Sequence, residues 1–291
     1  MSSGRSVAVV AVTHAPADSL PAFLDSLRSA TAEQVDVVLA HQGPLSETVR
    51  AAVDGRRVRL VDATDCGYGR AVNLGVYDTT EEFVAIASPE IVWGAGALDA
   101  LLAAAQRWPS GAAFGPLIHT VQGGVYPSAR SVPSLRNGIG HALFGWWWPN
   151  NPWTRAYRHE RETPQERTAG WLVGTCLLIR RDAFDEVGGF DADRLVYLED
   201  LDLGERFVKA GWRNVYVPSA EVRGSVRQAQ ADPATLAADQ HRSVWSYLAK
   251  RYSGWRWLPV RVALRMGIGV RAALAKRSSR LTRGPMSDRR P

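Results

Sequence analysis

Apolar residues in the first third of the chain come in short unbroken runs, separated by stretches whose period is longer. VAVVAV (7–12) is a continuous run of this kind, the pattern of a strand buried on both faces. VDVVLA (35–40), VRLVDA (58–63) and EFVAIAS (82–88) predict three more strands. Between the first two, Leu20, Phe23, Leu24 and Leu27 fall on one helical face behind Pro21, which predicts a helix over 18–30. A second helix is predicted to begin in 69–77, and a third covers 96–107. Strand and helix alternating over the first 115 residues imply the α/β class, a doubly wound, mostly parallel sheet flanked by helices. Ligands of such sheets bind beyond the carboxyl ends of the strands, so the loops after Val12, Ala40, Ala63 and Ser88 are the places to search.

From 116 to 165 the pattern turns loop-rich and aromatic, with YPSARSVPSL and FGWWWPNNPWTRAYRHE. WLVGTCLLIRR (171–181) predicts a strand, and DAFDEVGGF (182–190) a short helix stopped by Gly188-Gly189. LEDLDLGERFVKAGW (198–212) predicts an amphipathic helix and NVYVPS (214–219) a further strand. A helix over 236–253 carries Trp245, Tyr247 and Leu248. The apolar tail WRWLPVRVALRMGIGVRAALAKR has Arg at intervals, the pattern of a basic amphipathic helix lying in an interface.

Composition changes this picture in three places. Hydrophobic residues at 46% and charged ones at 22% fit a globular protein with a sizeable core. Cys66 and Cys176 are too far apart for a disulfide framework or a zinc site, so a reducing, cytoplasmic setting is expected. The six-residue apolar run near the start is short for a secretory signal, and no run of 18 uncharged apolar residues occurs, so no spanning helix is expected. Net charge is +6, but residues 250–291 hold twelve Lys or Arg against Asp288 alone. A mildly acidic body therefore carries a strongly basic tail. Its charge is interleaved with Val, Ala, Leu and Ile, which argues for an anionic membrane surface and against nucleic acid.

Candidate chemistry gathers in three segments. Glu199, Asp200 and Asp202 lie together at a helix start. There they would cap backbone N–H groups and complement the dipole, or one of them would accept a proton from a hydroxyl. Ser88-Pro89-Glu90 follows the fourth strand and places a carboxylate in a loop, as a cation ligand or as a solvated acid. DCGYGRAVNLG (65–75) sets Gly67, Gly69 and Gly75 around Arg70 and Asn73. That spacing suits either the close approach of a ligand to a helix N-terminus or an ordinary strand-to-helix turn. Trp is concentrated at 146–171 and 245–257, and its rings suit sugar stacking, a membrane interface or a packed covering loop.

Together and in this order, VAVVAVTHA, CGYGRAVNLGV, SPE and WLVGTCLLIRRDAFDEVGGFD with YLEDLDLGERFVKAGW resemble the family 2 glycosyltransferases of GT-A fold, from about Val7 to Trp257. The resemblance implies an inverting enzyme with a nucleotide-sugar donor. Residues 1–115 would form its nucleotide-sugar half, 116–235 its acceptor and catalytic half, and 236–291 a membrane-associating tail. By the same resemblance Asp200 is the catalytic base. Thr13, His41, Asp65, Gly67, Arg70, Asn73, Ser88 and Glu90 lie around the nucleotide-sugar, with Glu90 as ligand of a Mg²⁺ or Mn²⁺ ion, and Trp171, Glu199 and Asp202 line the acceptor side.

VYPSARSVPSL, WPNNPWTRAYRHERETPQERTAGWLVGTC and VYVPSAEV resemble more narrowly the mycobacterial rhamnosyltransferases. Those transfer L-rhamnose from dTDP-L-rhamnose to N-acetylglucosaminyl-diphospho-polyprenol, a cell-wall linker precursor. This implies a peripheral protein on the inner face of the plasma membrane. Its oligomeric state is not implied. The chain departs from the family at His41-Gln42-Gly43-Pro44, where Asp-Asn-Gly-Ser is usual, and at Glu90 in place of Asp. It departs again at Arg223-Gly224-Ser225, where a His is usual. The competing expectation is a family member that binds glycolipid or a partner protein with little or no turnover.

Overall fold

The computed structural model describes residues 6–14, 17–132, 164–191 and 198–225. The first predicted run is strand β1 (Val7–His14), and its alternation sorts its side chains onto two sides. Val7, Val9 and Ala11 enter one apolar cluster, Val10 and Val12 the other. The same sorting holds for β2 (Asp36–Gln42) and β4 (Phe83–Ala87), so the sheet is buried on both faces. On one face pack α1 (Leu20–Ala30), α2 (Glu47–Val53) and α4 (Ala97–Arg107). On the other pack α3 (Tyr68–Tyr77), α5 (Arg181–Glu186) and α6 (Glu199–Lys209). The wrapping is that of a doubly wound sheet.

With β3 (Val58–Asp62) at one edge, the main sheet runs β3-β2-β1-β4 with parallel pairing. Beyond β4 come β11 (Cys176–Arg180), β6 (Gly111–His119), β12 (Arg213–Gly224) and β5 (Ile91–Trp93). Strand β11 is antiparallel to both neighbours, β12 is parallel to β6, and β5 closes the edge antiparallel to β12. Two small pieces complete it, β7 (Val125–Tyr126) on β6 and β9 (Arg167–Ala169) on β12. Strands β8 (Ala129–Arg130) and β10 (Trp171–Leu172) form a separate antiparallel pair. These elements belong to one compact unit; a second, made of residues 194–198 and 229–291, lies outside the described residues except Leu198.

Four stretches differ from the sequence expectation. The ordered pattern does not end at 115, because β6 continues to His119 almost wholly buried. Its Pro116 has no N–H to give a ladder, and β12 answers with a register shift beyond Val217, the partner of Pro116. The predicted strand over 171–181 is two strands, β10 and β11, interrupted at 173–175. The strand predicted over 214–219 runs to Gly224 past its irregularity. Helix α2 was not foreseen; Ser46 caps it by accepting from Val49 N at 3.3 Å. The helix predicted over 236–253, the basic tail and the Trp146–Trp148 cluster lie outside the described residues.

Candidate active site

Helix α6 begins where it must to bring carboxylates to the end of the sheet, and its first turn holds Glu199, Asp200 and Asp202. The three side chains have different partners. Asp200 Oδ2 accepts from Gly174 N at 3.0 Å and Oδ1 from Leu201 N at 2.8 Å. Burial raises its pKa above the ordinary carboxylate value, while these two N–H groups and the charge of Arg130 pull the other way. Such a group is a stronger proton acceptor than a solvated aspartate, provided it is ionised. Gly174 sits in the 173–175 interruption, so the break in the predicted strand is what delivers an N–H to the carboxylate. A Cβ on Gly174 would lie 3.2 Å from Asp200 Cβ.

Glu199 turns the other way, its Oε1 accepting from Gly69 N in the first turn of α3 at 3.2 Å. This anion at a helix start complements the dipole. Asp202 is buried and bonded to Arg206 Nε at 2.7 Å, and Arg206 also donates to Val187 O at 2.7 Å. Trp171 is buried with no partner for its Nε1 among the described residues, and its ring faces Arg130, whose guanidinium carbon is 5.3 Å from the ring centre. Arg130 was not singled out in the sequence, although its segment, YPSAR, was; nor were Gly174 and Tyr68, whose hydroxyl donates to Gly174 O at 3.1 Å.

Thr13 and His41, expected around the nucleotide-sugar, are register partners at the carboxyl ends of β1 and β2, both buried. Thr13 Oγ1 and His41 Nδ1 have no hydrogen-bond partner among the described residues. His41 Nε2 lies 3.2 Å from Pro44 O. A carbonyl only accepts, so Nε2 carries the hydrogen and Nδ1 of the neutral ring is left an acceptor. Asp65 precedes α3 at φ 59, the one non-glycine residue with positive φ among those described. Asp65, Gly67 and Arg70 are exposed, whereas the Asn73 amide is taken up by the backbone of Phe190, donating to its carbonyl and accepting from its N–H at 2.9 Å each.

Ser88 joins the two sides, since its N donates to Thr175 O at 2.8 Å while the neighbouring Gly174 holds Asp200. Glu90 follows, half-buried, and β12 presses on its backbone: a Cβ at Gly224 would overlap the carbonyl oxygen of Glu90. No three His, Cys, Asp or Glu side chains gather to hold a metal ion among the described residues. A single carboxylate suits an ion carried largely by a diphosphate, since Mg²⁺ is commonly bound through one or two carboxylates and substrate phosphates.

Residues 8–251 match the glycosyltransferase-like family 2. The chain belongs to that family. The glycosyltransferase is 48% identical over 285 residues, 93% of each chain, to the N-acetylglucosaminyl-diphospho-decaprenol L-rhamnosyltransferase of Mycobacterium tuberculosis. In fold it is similar to the mannosyltransferase PcManGT of Pyrobaculum calidifontis, solved with GDP-Man and Mn²⁺. That likeness has a TM-score of 0.56 at 16% identity and covers 97% of this chain and 76% of the other. It is similar also to GalNAc-T7, solved with UDP, GalNAc and Mn²⁺, with a TM-score of 0.58 at 13% identity. There it covers 83% of this chain but 47% of GalNAc-T7. The fold is the GT-A fold of such enzymes.

Proposed function

We propose that this glycosyltransferase moves L-rhamnose from dTDP-L-rhamnose to a polyprenyl-diphosphate-linked N-acetylglucosamine, inverting the anomeric carbon, with Asp200 as base. The observation that carries the chemistry is the half-buried Asp200, its carboxylate fixed by Gly174 N–H next to the turn that bonds Ser88. The sugar and the acceptor are inferred from the 48% identity to the mycobacterial rhamnosyltransferase. In the transfer, Asp200 takes the proton of the acceptor hydroxyl as its oxygen bonds to the anomeric carbon. The bond from that carbon to the diphosphate breaks, and its electron pair leaves with dTDP. Fixing base and acceptor before reaction replaces a bimolecular encounter by a positioned one.

Thr13 and His41 form the floor proposed for the nucleobase. The imide N–H of thymine is a donor that His41 Nδ1 can accept, in place of the carboxylate usual in the family. Glu90 would hold a Mg²⁺ or Mn²⁺ ion, whose part is to neutralise charge building on the departing diphosphate. Trp171 supports the acceptor side. Glu199 and Asp202 act there through the placement of α3 and α6. Residues 250–291 are proposed to dock the protein on the anionic inner face of the plasma membrane, where a polyprenyl acceptor resides.

The test is transfer by purified full-length protein to a synthetic polyprenyl-diphospho-N-acetylglucosamine, followed by mass spectrometry, with dTDP-, UDP- and GDP-linked sugars and with or without EDTA. A gain of one deoxyhexose from dTDP-L-rhamnose alone is expected, and EDTA is expected to stop it. Binding of acceptor without transfer from any donor would favour a glycolipid-binding role.

A further inference from the structure

Thr13 Oγ1 and His41 Nδ1, at the ends of β1 and β2, are buried side by side with no hydrogen-bond partner among the described residues. Buried polar atoms are costly to leave so, and two together mark a place where a polar ligand completes the bonding. The two residues are paired in the parallel register, so their side chains leave the sheet on one face. A hydroxyl can give a hydrogen, and the bare nitrogen of an imidazole can take one. Next to each other they complement a carbonyl beside an N–H, which is the imide edge of thymine. Cytosine has a bare nitrogen at that ring position, and would set a lone pair against the lone pair of Nδ1.

The His41 ring is fixed in a way that lets one atom change its role. Nε2 gives its hydrogen to Pro44 O at 3.2 Å, in the charged ring as in the neutral one. Protonation therefore changes Nδ1 alone, from acceptor to donor, without turning the ring. The ionisable group nearest in register is Asp62 of β3, on the other flank of His41. Its Oδ1 accepts from Thr64 N at 2.9 Å and from Thr64 Oγ1 at 2.6 Å. On β1, Thr13 carries no charge, and His14 alternates to the opposite face. The turn over 43–46 holds no charged residue. Asp18, Asp25 and Arg28 in and before α1, and Glu47 and Arg50 of α2, are exposed.

We propose that His41 is a specificity-determining residue that sorts nucleobases by hydrogen-bond polarity, and that a proton on Nδ1 inverts the sorting. The inference rests on the reading of Thr13 and His41 as the floor of the nucleobase. The neutral ring accepts from the imide N–H of thymine. The charged ring sets N–H against N–H with thymine and donates to the bare nitrogen of cytosine. Affinity for a thymine nucleotide thus falls on acidification relative to that for a cytosine nucleotide. Titration of the diphosphate is common to both nucleotides, so the ratio of the two affinities isolates the ring.

The measurement is the dissociation constant of dTDP and of dCDP for the full-length protein, by calorimetry with Mg²⁺ present. Wild type, His41→Asn and Thr13→Val are compared from about pH 5.5 to about pH 8, where imidazole changes charge. In wild type, the ratio of Kd for dTDP to Kd for dCDP is expected to rise about tenfold or more towards acid, one good hydrogen bond having changed sides. Asn keeps an acceptor near the place of Nδ1 and takes up no proton, so in His41→Asn the ratio should stay level. Thr13→Val should weaken dTDP at every pH and keep the rise. A level ratio in wild type, or an equal rise in His41→Asn, would overturn the proposal, as would failure of wild type to bind either nucleotide. A level wild-type ratio with dTDP weakened in both variants would leave the nucleobase on its floor and remove the proton's part alone. Affinities that neither substitution changes would remove the nucleobase from Thr13 and His41, and the sorting with it. No sugar is transferred in any arm, so a wrong assignment of rhamnose would leave these outcomes as they are.

Discussion

At the scale of single residues, Asp200 carries two opposed demands. Its desolvation raises the pKa, which would strengthen it in the proposed role of base but penalises the folded state whenever the group is charged. Because the folded value lies above the unfolded one, the penalty is absent below the unfolded pKa and full above the folded pKa. Asp200→Asn removes proton acceptance and keeps the shape. It is expected to abolish transfer while donor binding, read by calorimetry, stays within about twofold. Its melting temperature relative to wild type should be highest at neutral and alkaline pH, with the difference shrinking as pH falls through the folded pKa of Asp200. A difference that grew on acidification would contradict the assigned burial. His41 makes a separate prediction on the donor side. His41→Ala deletes the acceptor Nδ1 next to Thr13, so donor KM is expected to rise about tenfold, the ~1.4 kcal/mol of one good hydrogen bond, with kcat little changed.

At the scale of elements, what stands out is that α3 is fastened to pieces more than a hundred residues away. Gly69 N meets Glu199, Asn73 holds Phe190 in both directions, and Tyr68 reaches Gly174. Helix α3 therefore locates the start of α6 and the turn before it. Asn73→Ala leaves the Phe190 carbonyl and N–H without that amide. The expected cost is about 1–3 kcal/mol of stability, measured by urea unfolding, with loss of activity well below the unfolding midpoint. A neutral result would mean that α3 and α6 are placed independently.

These fastenings also explain what the sequence disclosed. The parallel strands and the carboxylate cluster were legible because period and residue type survive in one dimension. Asp200 was singled out within that cluster only by the family resemblance. Glu199 and Asp202 were placed on the acceptor side, yet only the fold shows that one meets the start of α3, one pairs with Arg206, and Asp200 alone is held by Gly174 N. Gly174 and Arg130 gave no signal of their own: one is defined by a break within an apolar run, the other by rings 4 and 41 positions away. Strand β6 escaped notice because Gly115 and Pro116 read as breakers, and a bulge in a partner strand is invisible along the chain.

At the scale of the whole molecule, charge is unevenly placed along the chain. A mildly acidic body with a tail carrying twelve basic residues in 250–291 is electrostatically divided, and among the described residues no helix is long and apolar enough to cross a membrane. Contact with a lipid-borne acceptor would then depend on the tail, at ~1 kcal/mol for each basic side chain that reaches an anionic surface. Trp255 and Trp257 add rings suited to the headgroup region. The protein is expected to sediment with vesicles containing anionic lipid and not with purely zwitterionic ones. Binding should weaken as salt shortens the Debye length from ~10 Å at 0.1 M towards ~3 Å at 1 M. Removing residues 250–291 should abolish sedimentation and slow transfer to acceptor in vesicles, yet leave transfer to a short-chain acceptor in solution near the full-length rate. Equal binding to neutral vesicles would assign docking to apolar surface instead of charge. Undiminished binding after truncation would place it outside the tail altogether, and the division of charge would then need another explanation.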